Sequence, residues 1–186
     1  MLPPKKTMRR YDVPGTARFI TFSCYRRLRL FDNDCIKDRF VERFIEFAEL
    51  KQITVLAWVV MPEHVHMVLF PEPADALSPF LSSLKRSFSA EVLRRWRDLE
   101  AAILPKLRDR NGDIHFWQLG GGYDRNVVGA ELLEKVRYCH SNPITRGLVA
   151  RSIDYRWSSA RAYESLDALG PPIRFDLLPK SDRSLT

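Results

Sequence analysis

The chain has 186 residues, with 30 Lys and Arg against 23 Asp and Glu, a formal charge of +7. Hydrophobic residues make up 45% of it, enough to bury a core, which excludes a wholly disordered chain. The longest apolar run, the seven residues Val55 to Met61, is far short of the roughly 20 that span a bilayer. The N-terminus lacks the apolar stretch of a secretory signal, so a cytoplasmic location away from any membrane is expected. A basic excess favours a polyanionic partner, because neutralised phosphates release counterions. Cys24, Cys35 and Cys139 are odd in number and none form a Cys-x-x-Cys pair. They read as reduced packing residues, not as a disulfide framework or a zinc knuckle.

Residues 1–16 are basic and broken by Pro3, Pro4, Pro14 and Gly15, and they read as an arm. Ala17 to Tyr25 is rich in β-formers and predicts a strand. Asp32 or Asn33 can cap a following helix whose apolar positions are Ile36, Phe40, Phe44, Ile45, Phe47 and Ala48. Ile53 to Val60 and Val65 to Phe70 predict a hairpin around Met61-Pro62-Glu63. Ser78, followed by Pro79 at a first helical position, predicts a second helix with Phe80, Leu81, Leu84, Phe88, Val92 and Trp96 on one side. An irregular connection over 98–112 leads to a short strand expected at Ile114 to Gln118 and a flexible joint at Gly120 to Gly122. Glu131 to Ser141 predicts a third helix, stopped by Pro143 and Gly147, before a loop-rich tail from Ser152. This order predicts an α+β fold. Its first six elements make a ferredoxin-like or palm-like antiparallel sheet with helices on one face, and a C-terminal helix follows.

Two segments carry candidate chemistry. In Met61-Pro62-Glu63-His64-Val65-His66, residues two apart on a strand share a face, so His64 and His66 project together and supply half of a metal site. Glu63 is expected on the opposite strand face. In Lys135 to Val149, helical periodicity buries Leu132, Leu133, Val136 and Cys139 and turns Tyr138 to the far side. Asn142 follows Tyr138 by one turn, although it precedes a proline. His140 points about 200° away from Tyr138 on an ideal helix.

Taken with Trp58 to His66, Phe116-Trp117-Gln118, Tyr123-Asp124-Arg125, Tyr138 to Leu148 and Trp157-Ser158-Ser159, the chain resembles the single-tyrosine transposases that carry a His-hydrophobic-His motif. It is most similar to the branch associated with repetitive extragenic palindromes (REP). The resemblance spans most of 17–163, leaving 164–186 as a tail. It implies His64, His66 and Asn142 as ligands of Mg²⁺ or Mn²⁺, and Tyr138 as the nucleophile. It also implies single-stranded DNA beside an imperfect hairpin as the substrate, a 5′-phosphotyrosine link, and a monomer in preference to a dimer. No phosphate-binding Gly-x-x-x-x-Gly-Lys loop is present, so no nucleotide cofactor is expected. Candidate phosphate contacts are Arg9, Arg10, Arg26, Arg27, Lys85 and Arg86. Tyr11, Phe116 and Trp117 are candidate base-stacking residues, the last two equally candidates for core. Other readings are a replication initiator or relaxase of the same superfamily, and a DNA-binding host factor that keeps the fold without nicking.

Overall fold

The computed structural model describes residues 13–120 and 122–179. Arg9, Arg10 and Tyr11 lie outside them. Four strands, β1 (Ala17–Ser23), β2 (Ile53–Val60), β3 (His64–Pro71) and β4 (Tyr123–Val127), form one antiparallel sheet in the order β2-β3-β1-β4. Helix α1 (Asp34–Leu50) joins β1 to β2, α2 (Leu77–Asp98) precedes β4, and α3 (Gly129–Thr145) follows it. The expected ferredoxin-like α+β order is therefore present.

The alternation of β-strand side chains divides the apolar residues between two cores. On one face Ile20, Phe22, Val65, Met67 and Leu69 pack with Phe40 and Phe44 of α1 and Phe80, Leu84 and Phe88 of α2. On the other, Phe19, Val59, Met61 and Val68 pack with Leu132, Leu133, Val136 and Cys139 of α3. A register shift between Val55 and Ala57 turns both Leu56 and Ala57 toward α3. Helix α1 begins as its sequence requires: Asn33 Oδ1 accepts from the Cys35 amide at 2.8 Å.

Several expectations are corrected. Helix α2 starts at Leu77 out of a 3₁₀ turn at Ala74–Ala76, so Ser78 and Pro79 sit inside its first turn. Pro79 is tolerated there because first-turn amides have no intrahelical acceptor. Ile114 to Gln118 is not a strand of the sheet; it makes only isolated bridges, Arg108 with Ile114 and Cys24 with Trp117. The fourth strand is Tyr123–Val127. Pro143 does not stop α3, which runs to Thr145, with Gly147 at positive φ just beyond its end. Within the last turn a proline costs one hydrogen bond and leaves the following residues free to close on the carbonyls of Asn142 and Ile144. Gly122 is no simple hinge: a Cβ there would stand 2.1 Å from the Thr21 carbonyl oxygen, so only glycine lets this segment lie against β1. Cys24 and Cys139 are buried, as expected of packing residues, whereas Cys35 is exposed.

The segment after α3 closes the outer edge of β2. Trp157 O accepts from Val60 N at 2.9 Å, Ser159 N donates to Trp58 O at 3.0 Å, and Arg174 N donates to Val55 O at 3.2 Å. Ser159 Oγ also accepts from Trp58 N, and the Tyr155 hydroxyl donates to Val60 O. An edge strand with these groups open would invite foreign pairing. Among the described residues no helix is long and apolar enough to cross a membrane.

Candidate active site

His64 and His66 begin β3 and lie on the α3 side of the sheet. Their ring centroids are 4.5 Å apart. Thr21 of β1 stands opposite His66 in register, and its Oγ1 is 2.7 Å from His66 Nδ1. On the other side of the ring, Asn142 Nδ2 is 3.4 Å from His66 Nε2. The two contacts agree on one tautomer, with Nδ1–H donating to Thr21 and the Nε2 lone pair facing Asn142.

Tyr138 is one turn before Asn142 on α3, 43% exposed, with its ring edge-on to His66 at 5.0 Å. Phe19 is the shared floor: it stacks on His66 at 5.6 Å and meets Tyr138 and Tyr123 edge-on at 5.8 and 5.9 Å. His140 faces away as expected, buried, with its Nε2 2.8 Å from Ser159 Oγ. The structure thus brings His64, His66, Tyr138 and Asn142 into one groove of about 580 Å³.

The groove is ringed by cations. Arg27, one of the expected phosphate contacts, lines it, together with Lys135 and Arg146, which the sequence reading did not single out. Lys135 Nζ lies 5.6 Å from the Phe19 ring and 5.9 Å from the Tyr138 ring. Glu63 corrects its expectation. It precedes the first residue of β3, so strand alternation does not govern it, and its carboxylate tucks beneath the site. Glu63 Oε1 is 2.9 Å from Arg146, 3.2 Å from His64 Nδ1 and 3.5 Å from Arg27. Burial alone would raise its pKa, but His64 and Arg146 together hold it below the usual carboxylate value. Burial lowers the pKa of both imidazoles. That of His66 falls to about 3, helped by His64 and Arg27; for His64 the Glu63 carboxylate opposes the shift. Both rings are accordingly neutral at pH 7 and can offer lone pairs.

Arg26, Lys85 and Arg86 do not line this groove. Arg26 lies over the Tyr25 ring at 4.8 Å, while Lys85 and Arg86 line a second groove beside α2. Phe116 is core, 1% exposed, and Trp117 is largely buried.

Among the described residues, three buried side-chain atoms at the site lack a well-aligned hydrogen-bond partner: Asn142 Oδ1, His64 Nδ1 and Glu63 Oε2. An orphaned amide oxygen beside two neutral imidazoles fits a divalent cation, because rotating the amide would turn Oδ1 toward the His66 Nε2 lone pair, and a cation accepting both would satisfy them. A separate group, Asp109, Asp113 and His115, also places its ligand atoms within 4.8 Å of one another. None of its members lines the groove, and Asp109 is already engaged by the Asn111 and Asp113 amides and by His115.

A family model described as Transposase IS200 like matches residues 15–141, a span holding both histidines and Tyr138. The chain belongs to that family. Its members are enzymes that act on DNA. A solved REP-associated tyrosine transposase bound to a REP hairpin shares the fold, with a TM-score of 0.66 over 95% of this chain and 99% of that one at 20% identity. A second solved chain, from Deinococcus radiodurans, covers 81% of this chain and 96% of its own length at 15% identity, with a TM-score of 0.41. No curated protein matches the chain.

Proposed function

We propose that this transposase nicks and rejoins single-stranded DNA next to a hairpin, using Tyr138 as nucleophile and a divalent cation held by His64, His66 and Asn142. The observation that carries the reading is the packing of the Tyr138 ring against His66, at 5.0 Å, inside a groove that Arg27, Lys135 and Arg146 line. The fold shared with a transposase solved on a REP hairpin supports hairpin DNA as the substrate. Mg²⁺ is the expected physiological ion, with Mn²⁺ at least as effective in vitro because it accepts nitrogen ligands more readily. Bound there, the cation would supply Lewis acidity to a phosphate oxygen.

The chain's own residues do the rest. Arg27 and Arg146 offset the charge of the incoming phosphodiester, which otherwise repels an anionic nucleophile. Lys135 favours the phenolate as the Tyr138 proton leaves. A bond forms between Tyr138 Oη and phosphorus, and the bond from phosphorus to the 3′ oxygen breaks. The departing oxygen takes its electron pair and a proton, giving a 3′-hydroxyl and a 5′-phosphotyrosine link. The link stores the phosphoester, so a later 3′-hydroxyl can attack it and rejoin strands without ATP.

A hairpin oligonucleotide labelled separately at each end tests this. The label 3′ of the cut should stay with the protein after denaturation, and the label 5′ of the cut should run free. A 3′-phosphotyrosine attachment would overturn the mechanism. A mobility shift with no adduct at all would make the chain a binder without nicking.

A further inference from the structure

We infer that Tyr123 is a substrate-binding residue, a platform on which the base adjoining the scissile phosphate stacks. The inference rests on the DNA-nicking reading and adds to it what holds the nucleotide beside the cut.

The aromatic lining of the groove divides by burial. Phe19, His64 and His66 are buried, whereas Tyr138 and Tyr123 are 43% and 40% exposed. Tyr138 is the nucleophile of the proposed reaction, and Tyr123 has no part in it.

Strand register places Tyr123. Thr21 of β1 pairs with His66 of β3 on one side and with Tyr123 of β4 on the other, so the three form one row across the sheet. Directly paired residues of neighbouring strands show their side chains on one face. Tyr123 therefore opens on the same face as the histidines, two strand spacings or about 10 Å from His66. Between them Thr21 is short and held at His66 Nδ1, and the groove passes over it. One nucleotide bridges that gap, with its phosphate at the histidines and Tyr138 and its base at Tyr123.

The ring is held without being covered. Its edge-on contact with Phe19, at 5.9 Å and 64°, is its one ring contact among the described residues. The close approach of Gly122 to the Thr21 carbonyl fixes the chain just before it against β1. Its hydroxyl accepts from Arg125, which also pairs with Glu131 at 3.0 Å. With the polar end engaged, Tyr123 offers a ring face, and every base has a π-face to lay on it. Tyr155 and Tyr163 are different: their rings are covered, and their hydroxyls donate to the backbone carbonyls of Val60 and Leu56.

The test measures adduct formation by the full chain against the concentration of a hairpin oligonucleotide, after product length has located the cut. The oligonucleotide is intact or lacks the base on one side of the cut or the other. Tyr123→Ala should raise the half-saturating concentration of intact DNA about tenfold and leave the maximal rate within about twofold, since stacking holds ground and transition states alike. Removing one of the two adjoining bases should cost the wild type a similar factor and cost the variant less than about twofold more. Tyr123→Trp should restore tight binding, whereas Tyr123→Leu, with apolar bulk and no π-face, should not. If Tyr123→Ala misfolds, Tyr123→Leu carries the same comparison. No loss, or an equal loss on intact DNA and on both abasic forms, would overturn the platform. Failure of the wild type to form an adduct would instead remove the nicking reading, and the same comparison read as DNA binding by mobility shift would then decide on Tyr123.

Discussion

On the α1/α2 face of the sheet, Phe22, Phe31, Phe40, Phe44, Phe80, Phe88 and Trp58 pack into a nearly continuous buried aromatic layer. On the α3 face the apolar layer covers only part of the sheet. Where β1 and β3 pass beyond it, Thr21, His64 and His66 line an open groove with Tyr138, Arg27, Lys135 and Arg146. Because successive strand residues alternate in direction, the same two strands serve both purposes. Stability and chemistry are thereby assigned to different faces, and substitutions should separate them.

The largest separation is expected at Tyr138. Tyr138→Phe keeps the ring against Phe19 and His66 and removes the hydroxyl. Adduct formation should fall by about 10⁴-fold or more, with stability unchanged within about 0.5 kcal/mol. Retained adduct on a denaturing gel would move the nucleophile to Tyr123, which shares the groove. Next comes the metal. His64→Ala with His66→Ala should abolish the heat of Mn²⁺ binding in calorimetry, and EDTA should silence the native protein. Unchanged Mn²⁺ affinity would remove the histidines as ligands.

The opposite face should behave in reverse. Phe88→Ala leaves a cavity beneath Phe31, Phe40 and Phe116 and should cost about 3–5 kcal/mol in denaturant unfolding. Nicking per folded molecule should stay within about twofold of native. A large activity loss in the folded fraction would show that the faces are coupled.

Glu63→Gln probes the support beneath the site. It retains the shape but removes the charge shared by His64, Arg27 and Arg146. Mn²⁺ affinity should weaken about 10–100-fold, and Glu63→Asp should recover part of it. No change in affinity would confine Glu63 to packing. The last effect is on pH. With its folded pKa depressed to about 3 against about 6.5 when unfolded, His66 contributes stability to the metal-free protein that is full above pH 6.5. That stability is lost as pH falls toward 3, by at most about 1.4 kcal/mol per pH unit. His66→Gln should flatten this part of the curve; an unaltered slope would place the loss elsewhere.

The central elements were legible because their patterns are strong. His-x-His on a β-rich run fixes a shared face, and Tyr138 and Asn142 at i and i+4 fix a shared helix side. Strand β4 escaped because Tyr-Asp-Arg-Asn-Val has one buried apolar residue; as an edge strand it shows charge to solvent, and Asp124 is consumed in a buried pair with Arg18 at 2.8 Å. The aromatic Phe116-Trp117 looked more like a strand but fills the core from an irregular segment. Arg27, in a turn at positive φ, and Arg146, capping α3, converge on Glu63 only through the tertiary fold. No spacing rule links residues so far apart in the chain.

Tyr138 packs against His66 of its own chain. Under the proposed chemistry the reactive unit is a single molecule. Adduct yield per mole of protein should then be flat on dilution across any concentration at which DNA stays bound. Mixing Tyr138→Phe with His66→Ala should restore nothing, since neither chain can lend its partner the missing group.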